Sequence, residues 1–219
     1  MSYHQRGVAK HLEYSELEER LNIATHLAGV VLSIVGTILL IIRAFTEGDL
    51  THQVSFPIFG FSLIILYTAS TLYHWSTSPV ARRRLKVFDH AAIYLLIAGS
   101  YTPFTIAVLD GWVGWLLFGI IWTMAAVGIS LKLFFTGRFK LLSTALYLVM
   151  GWMIVFAIGP LIDTLKGDGV FWLTAGGVAY SIGAILYSIK RIPFNHAIFH
   201  LFVVLGSTCQ FFTVYSFII

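Results

Sequence analysis

The stretch Phe194–Ile219 reads FNHAIFHLFVVLGSTCQFFTVYSFII, 26 residues without an acid, a lysine or an arginine. At about 1.5 Å rise per residue, a helix of that length crosses the ~30 Å hydrocarbon core of a bilayer. Near its start stand His196 and His200, spaced His-x-x-x-His. Positions i and i+4 of a helix share a face one turn apart, so two imidazoles placed this way can grip one metal ion. Ionisable groups inside a span are costly and mark function by default.

The rest of the chain has the same character. Of its 219 residues 58% are hydrophobic and only 11% charged, against about 25% charged in soluble domains. Mean hydropathy is +0.86. This composition predicts an all-α integral membrane protein with almost nothing outside the bilayer. Seven apolar stretches reach span length: Ile23–Ile42, Val54–Trp75, Val87–Leu109, Trp112–Phe135, Leu141–Leu161, Val170–Ile189 and Phe194–Ile219. The expected organisation is a short N-terminal segment, 1–21, followed by one seven-helix bundle, 22–219. Asp110-Gly111 is a turn signal between the third and fourth spans. The first 20 residues are polar and show no signal-peptide core, so cleavage is not expected. The single cysteine, Cys209, lies in a span, which excludes a disulfide framework and a cysteine-based zinc site.

Orientation follows from the basic residues. The N-terminal segment and the second, fourth and sixth connections carry 12 of the 14 lysines and arginines. The other side holds only Arg43 and Lys166, beside five acids. By the positive-inside rule the N-terminus is cytoplasmic and the C-terminus outside. The Arg82–Arg84 run reads as a topology determinant in contact with anionic head groups, and nucleic-acid binding is not expected.

Six ionisable groups then fall at one depth. His26 lies near the cytoplasmic start of the first span, His74 at the cytoplasmic end of the second, Asp89 and His90 at the start of the third, and His196 and His200 at the start of the seventh. That level lies within roughly 10 Å of the inner boundary. Three imidazoles plus a water is a zinc arrangement with an open, reactive position, which makes His74, His196 and His200 the candidate ligands of one ion. Imidazole also suits other transition metals, so zinc is the first candidate and not the only one. Asp89 either hydrogen-bonds the water and accepts its proton, or pairs with Lys86 or the Arg82–Arg84 run. Ser70, one turn before His74, could orient a ligand or donate to a developing oxyanion. Asn22 and His26 share a face of the first helix and serve either interhelical hydrogen bonding or support of the metal ligands. His90 points about 100° from Asp89 and reads as a packing or head-group residue. No specific role is expected for His4, His11 and His52. The glutamate of His-Glu-x-x-His is missing, which argues against a metalloprotease of that type.

Other features read as structural. Gly176, Gly177, Gly183 and Ser181 give the sixth span a small-residue face, for packing either inside the bundle or against another subunit. Thr102-Pro103 should kink the third helix near its outer end. Trp75, Trp112 and Trp172 stand at span ends as interfacial anchors.

Taken in order, Glu19-x-x-Asn22-x-x-Thr25-His26, Ser70-x-x-x-His74, Phe88-Asp89, Gly99-Ser100-Tyr101-Thr102-Pro103-Phe104 and His196-x-x-x-His200 resemble the haemolysin III branch of the progestin and adipoQ receptor family. The resemblance runs from about Glu19 to Ile219. It implies seven helices with a cytoplasmic N-terminus, and one zinc near the cytoplasmic face held by His74, His196 and His200, with Asp89 on the metal-bound water. Adiponectin receptors and alkaline ceramidases imply hydrolysis of a lipid amide, and the haemolysin name implies membrane lysis. Bacterial members resemble regulators of membrane homeostasis, which implies the bacterial inner membrane.

Four functions follow as expectations. The first is an intramembrane zinc hydrolase of a lipid amide or ester. The second is a membrane sensor or regulator with a structural zinc. A pore-forming cytolysin ranks lower, because seven apolar spans leave no water-soluble form. A transporter ranks below the first two, because its coupling residues would sit near the midplane. The short N-terminal segment and outer loops offer no surface for a protein hormone.

Overall fold

The structure is a computed structural model and describes residues 14–109, 111–135 and 140–219. Among the described residues every regular element is helical. The helices are α1 (Glu16–Thr46), α2 (Leu50–Trp75), α3 (Pro79–Pro103), α4 (Gly111–Phe135), α5 (Lys140–Trp152), α6 (Ile158–Ser188) and α7 (Asn195–Phe217). Six stretches among these residues are long and apolar enough to cross a membrane, with 141–188 forming a single run.

That run is where the sequence reading changes. Residues 162–169 were expected to be a loop between two spans, and they are almost wholly helical. Its 48 residues would extend about 72 Å if straight, more than twice the hydrocarbon thickness. A 3-10 segment, Met153–Ala157, interrupts it once. At Lys166 the backbone leaves helical geometry altogether, with φ 55° and ψ −173°, so two helices meet there at a break. Few L-residues adopt such a conformation.

Local chemistry sets the other ends. Ser15 caps α1 by accepting from the Glu18 amide at 3.2 Å, with three acids in the first turn. Asp49 caps α2 through a reciprocal box with His52. His52 Nε2 also lies 3.1 Å from the Ile218 carbonyl, so a histidine expected to do nothing specific ties α2 to the end of α7. Hydrogen bonds from Thr51 and His52 hold the Asp49 carboxyl well below the usual carboxylate range. Pro79 at the first position starts α3 earlier than the apolar pattern suggests. The Arg82–Arg84 run therefore lies in a helix, not in a loop. Directly after Pro103, α3 passes into a π-helical turn, Phe104–Val108, closed by Leu109 N–H on the Phe104 carbonyl at 2.9 Å. Gly111, at φ 72°, opens α4.

Helix α1 packs on α2 and α7, α2 on α3, α3 on α4, and α6 on α7. The small-residue face of α6 turns inward: a Cβ at Gly183 would stand 2.7 Å from Phe202 Cβ on α7. Tyr180 from the same helix meets Ser207 Oγ at 2.9 Å, and Tyr67 of α2 donates to that same oxygen at 2.7 Å. The core cluster includes Phe56, Phe59, Tyr94, Phe104 and Ile121, while much of the outer apolar surface is exposed. A bundle that exposes leucine, isoleucine and phenylalanine all round is an integral membrane protein.

Candidate metal centre

The site forms where α1, α2 and α7 meet. His196 is the second residue of α7, and the turn before it is closely held. Phe194 adopts a left-handed conformation at the helix start. Asn195 Nδ2 donates to the Tyr187 carbonyl at 2.8 Å, tying the end of α6 to the start of α7. His200 follows one turn later, and His74 sits one residue from the end of α2. All three histidines are buried, and each offers a ring nitrogen within 4.8 Å of the others. His74 Nε2 and His196 Nε2 lie 3.1 Å apart.

His74 is locked by its neighbours. Its Nδ1 lies 2.6 Å from Glu19 Oε2 on α1, with Asn22 Nδ2 at 3.4 Å. The Nδ1–H donates to this carboxylate, which leaves a lone pair on Nε2, directed at the other two rings. The other oxygen of Glu19 accepts from Arg82 of α3. Arg82 is buried, donates to the carbonyls of Tyr73, His74 and Ser76 at 3.3 to 3.4 Å, and lies over the Tyr73 ring. One guanidinium thus neutralises Glu19 and closes the C-terminal turn of α2, the turn that carries His74.

The other ligand candidates have their own supports. His200 Nδ1 faces the Asn22 carbonyl and Thr25 Oγ1, each at 3.4 Å. The His26 ring stacks on His200 at 3.5 Å between centroids and meets Tyr67 edge-on. Both ring nitrogens of His26 are buried without a hydrogen-bond partner among the described residues. Tyr14 stacks on His196 at 4.6 Å. The donor set suits a metal. Two nitrogens bound to one tetrahedral ion at ~2.0–2.1 Å stand about 3.3 Å apart, close to the observed pair.

A cavity of about 270 Å³ opens beside the histidines. Its wall is mostly apolar and includes His26, Asp89, His90, His196 and His200. Asp89 is buried on this wall and is not one of the grouped ligand atoms. Ser70 is buried with its hydroxyl lacking a hydrogen-bond partner among the described residues, and it is not on the cavity wall. His90 also faces the cavity, and its carbonyl accepts from Tyr147 at 3.0 Å. Of the basic run, Arg82 turns inward while Arg83 and Arg84 are exposed. His4 and His11 lie outside the described residues.

Sequence reasoning gave no role to Glu19 or to Arg82 as its partner. A signal existed for the first: Glu19, Asn22 and His26 share one face of α1 at spacings of three and four.

A profile of haemolysin-III-related proteins matches residues 14–211. The chain belongs to the haemolysin-III-related family. Within this family it is 47% identical to Hemolysin-3 of Bacillus cereus over 202 residues, covering 92% of each chain. It is 49% identical to the Hemolysin-3 homolog of Bacillus subtilis over 197 residues, covering 90% of this chain and 92% of that one. A more distant likeness, 28% over 211 residues, links it to the human monocyte to macrophage differentiation factor and covers 92% of this chain and 84% of the relative. The three histidines of this haemolysin-III-related protein thus form a buried group able to hold a metal ion, and two of them, His196 and His200, line an apolar cavity.

Proposed function

We propose that this protein is an intramembrane zinc-dependent hydrolase of a lipid amide or ester bond, working near the cytoplasmic face of a bacterial inner membrane. The observation that carries the reading is the junction of two features. A three-histidine group has one member fixed by a carboxylate and the other two on the wall of an apolar cavity that also presents Asp89. His74, His196 and His200 would hold the ion. A zinc ion held there supplies Lewis-acid polarisation of the scissile carbonyl and acidification of the attacking water.

The chain's own groups do the rest. Glu19 holds His74 in one tautomer, and Arg82 holds Glu19. The Asn22 carbonyl and the His26 ring brace His200. Asp89, buried on the cavity wall, accepts the proton of the attacking water. Ser70, one turn before His74 and off the cavity wall, would orient the ligand histidine, for which its hydroxyl has no competing partner among the described residues. The apolar wall takes an acyl chain and excludes water. Lipid carbonyls lie at the head-group boundary, the depth at which the basic-residue pattern sets this site. The same pattern supports a cytoplasmic N-terminus and an outer C-terminus, and we take the break at Lys166 as the turn between two crossings, which makes seven.

The test is release of fatty acid from ester and amide lipids by the purified, zinc-loaded protein. Release that disappears in Asp89→Asn supports the reading, and zinc-loaded protein that cleaves no such lipid refutes it.

A second reading is a regulator with a structural metal. The link Arg82–Glu19–His74 favours it, because it ties α1, α2 and α3 to the ligand group through buried charges. On that reading Asp89→Asn leaves both metal content and signalling intact. A lytic pore through one chain is disfavoured by the apolar lining of the cavity.

A further inference from the structure

Lys132 is a buried cation that the proposed reaction does not use. It stands three residues before the end of α4, where a lysine ordinarily extends its stem to the interface. Here it is only 6% exposed. Its ammonium turns into the bundle and donates to Ser143 Oγ of α5, itself buried. Lys132, Ser143 and Thr144 all stand on the wall of the cavity, and Tyr147 follows one turn later on α5. The same cavity reaches His196 and His200 of α7. One apolar space therefore joins a cation with two hydroxyls to the three-histidine group. An ammonium enclosed at membrane depth is costly and marks a site by default.

We propose that Lys132, with Ser143 and Thr144, binds the phosphate group of a membrane lipid whose acyl chain occupies the rest of the cavity. An ammonium is a compact point charge suited to a phosphate oxygen, and adjacent hydroxyls supply further hydrogen bonds. Lys132, on α4, is the one lysine or arginine among the described residues of the wall, and Asp89, on α3, is the one acid. The lysine is therefore the place for the phosphate. That the lipid's acyl bond then faces the histidines rests on the hydrolase reading; the binding itself does not.

The test compares two probes that differ only in phosphate, oleoyl lysophosphatidate and monoolein. Native mass spectrometry of the full chain in neutral detergent reads the lipid bound. The wild type is expected to prefer lysophosphatidate by at least about tenfold, as a hydrogen bond to a charged group implies. Lys132→Met should bring the two probes to near parity, and Lys132→Arg should keep most of the preference. A second measurement needs no variant: lysophosphatidate, and not monoolein, should protect Lys132 from an amine-acylating reagent mapped by peptide mass. Equal binding of both probes by the wild type, full preference in a folded Lys132→Met protein, or absence of protection overturns the proposal. Displacement of lysophosphatidate by millimolar inorganic phosphate also overturns it, since the site would then take a free anion. Because binding is read and not turnover, loss of the hydrolase reading leaves these outcomes unchanged.

Discussion

Changing Glu19 to glutamine probes the least expected part of the site. The carboxylate makes two buried contacts, one to His74 Nδ1 at 2.6 Å and one to Arg82. A glutamine of the same shape keeps its carbonyl oxygen for Arg82 and turns its NH₂ toward His74. Nδ1 must then accept, and the ring proton moves to Nε2, the nitrogen that faces His196 at 3.1 Å. A protonated Nε2 cannot ligate. Loss of such an outer partner typically weakens metal binding ~10–100-fold, about 1.4–2.7 kcal/mol. Stability should fall as well, because breaking a buried pair costs about 3–5 kcal/mol when one charge is left uncompensated. Arg82 retains three backbone carbonyls, so the lower part of that range is expected. The assay is zinc affinity by chelator competition on purified protein, beside thermal unfolding. Glu16→Gln, at an exposed pair with Arg20, serves as the control and should change neither. Affinity of Glu19→Gln within about twofold of wild type would refute the locking role, since the supporting contact would then carry less than half a kcal/mol.

Further outcomes follow from other contacts. Asp89→Asn should retain zinc and lose lipid cleavage by at least about 100-fold, the scale of a general base, measured as fatty-acid release. Gly29→Ala places a methyl 2.5 Å from the Tyr67 ring, which also supports His26, and should lower stability by about 1–3 kcal/mol in thermal unfolding. Asp49 has a depressed folded-state carboxyl, so its contribution to capping α2 is fully present above the unfolded value near ~3.9 and is lost only as pH falls through the lower folded value. Asp49→Ala should therefore unfold earlier than wild type at neutral pH, and the gap should close in acid.

Much of the site was legible because membrane burial leaves so few polar groups to choose from. The basic-residue pattern put His74, His196 and His200 at one expected depth, and the structure gathers their nitrogens within 4.8 Å. Glu19 escaped because it precedes the apolar start of the first span, whereas the cap at Ser15 begins the helix about two turns before that start and carries Glu19 inside. Arg82 escaped for a related reason. A run of three arginines reads as a solvated segment, and only a partner 63 positions away draws the first of them inward. Lys132 was assigned to a connection by its charge, yet tertiary packing encloses it. The break at Lys166 falls inside the loop expected at 162–169, but its confinement to one lysine was not legible, because Gly167 and Gly169 beside it are the residues that ordinarily adopt unusual backbone angles.

The central claim is that three buried histidines hold a metal. The direct measurement is elemental analysis of protein purified in detergent without added metal, beside a His196→Ala, His200→Ala double variant. The account predicts about one zinc per chain in the wild type and loss of it in the folded double variant. No metal in the wild type even after zinc is supplied, or equal metal in both proteins, would contradict it.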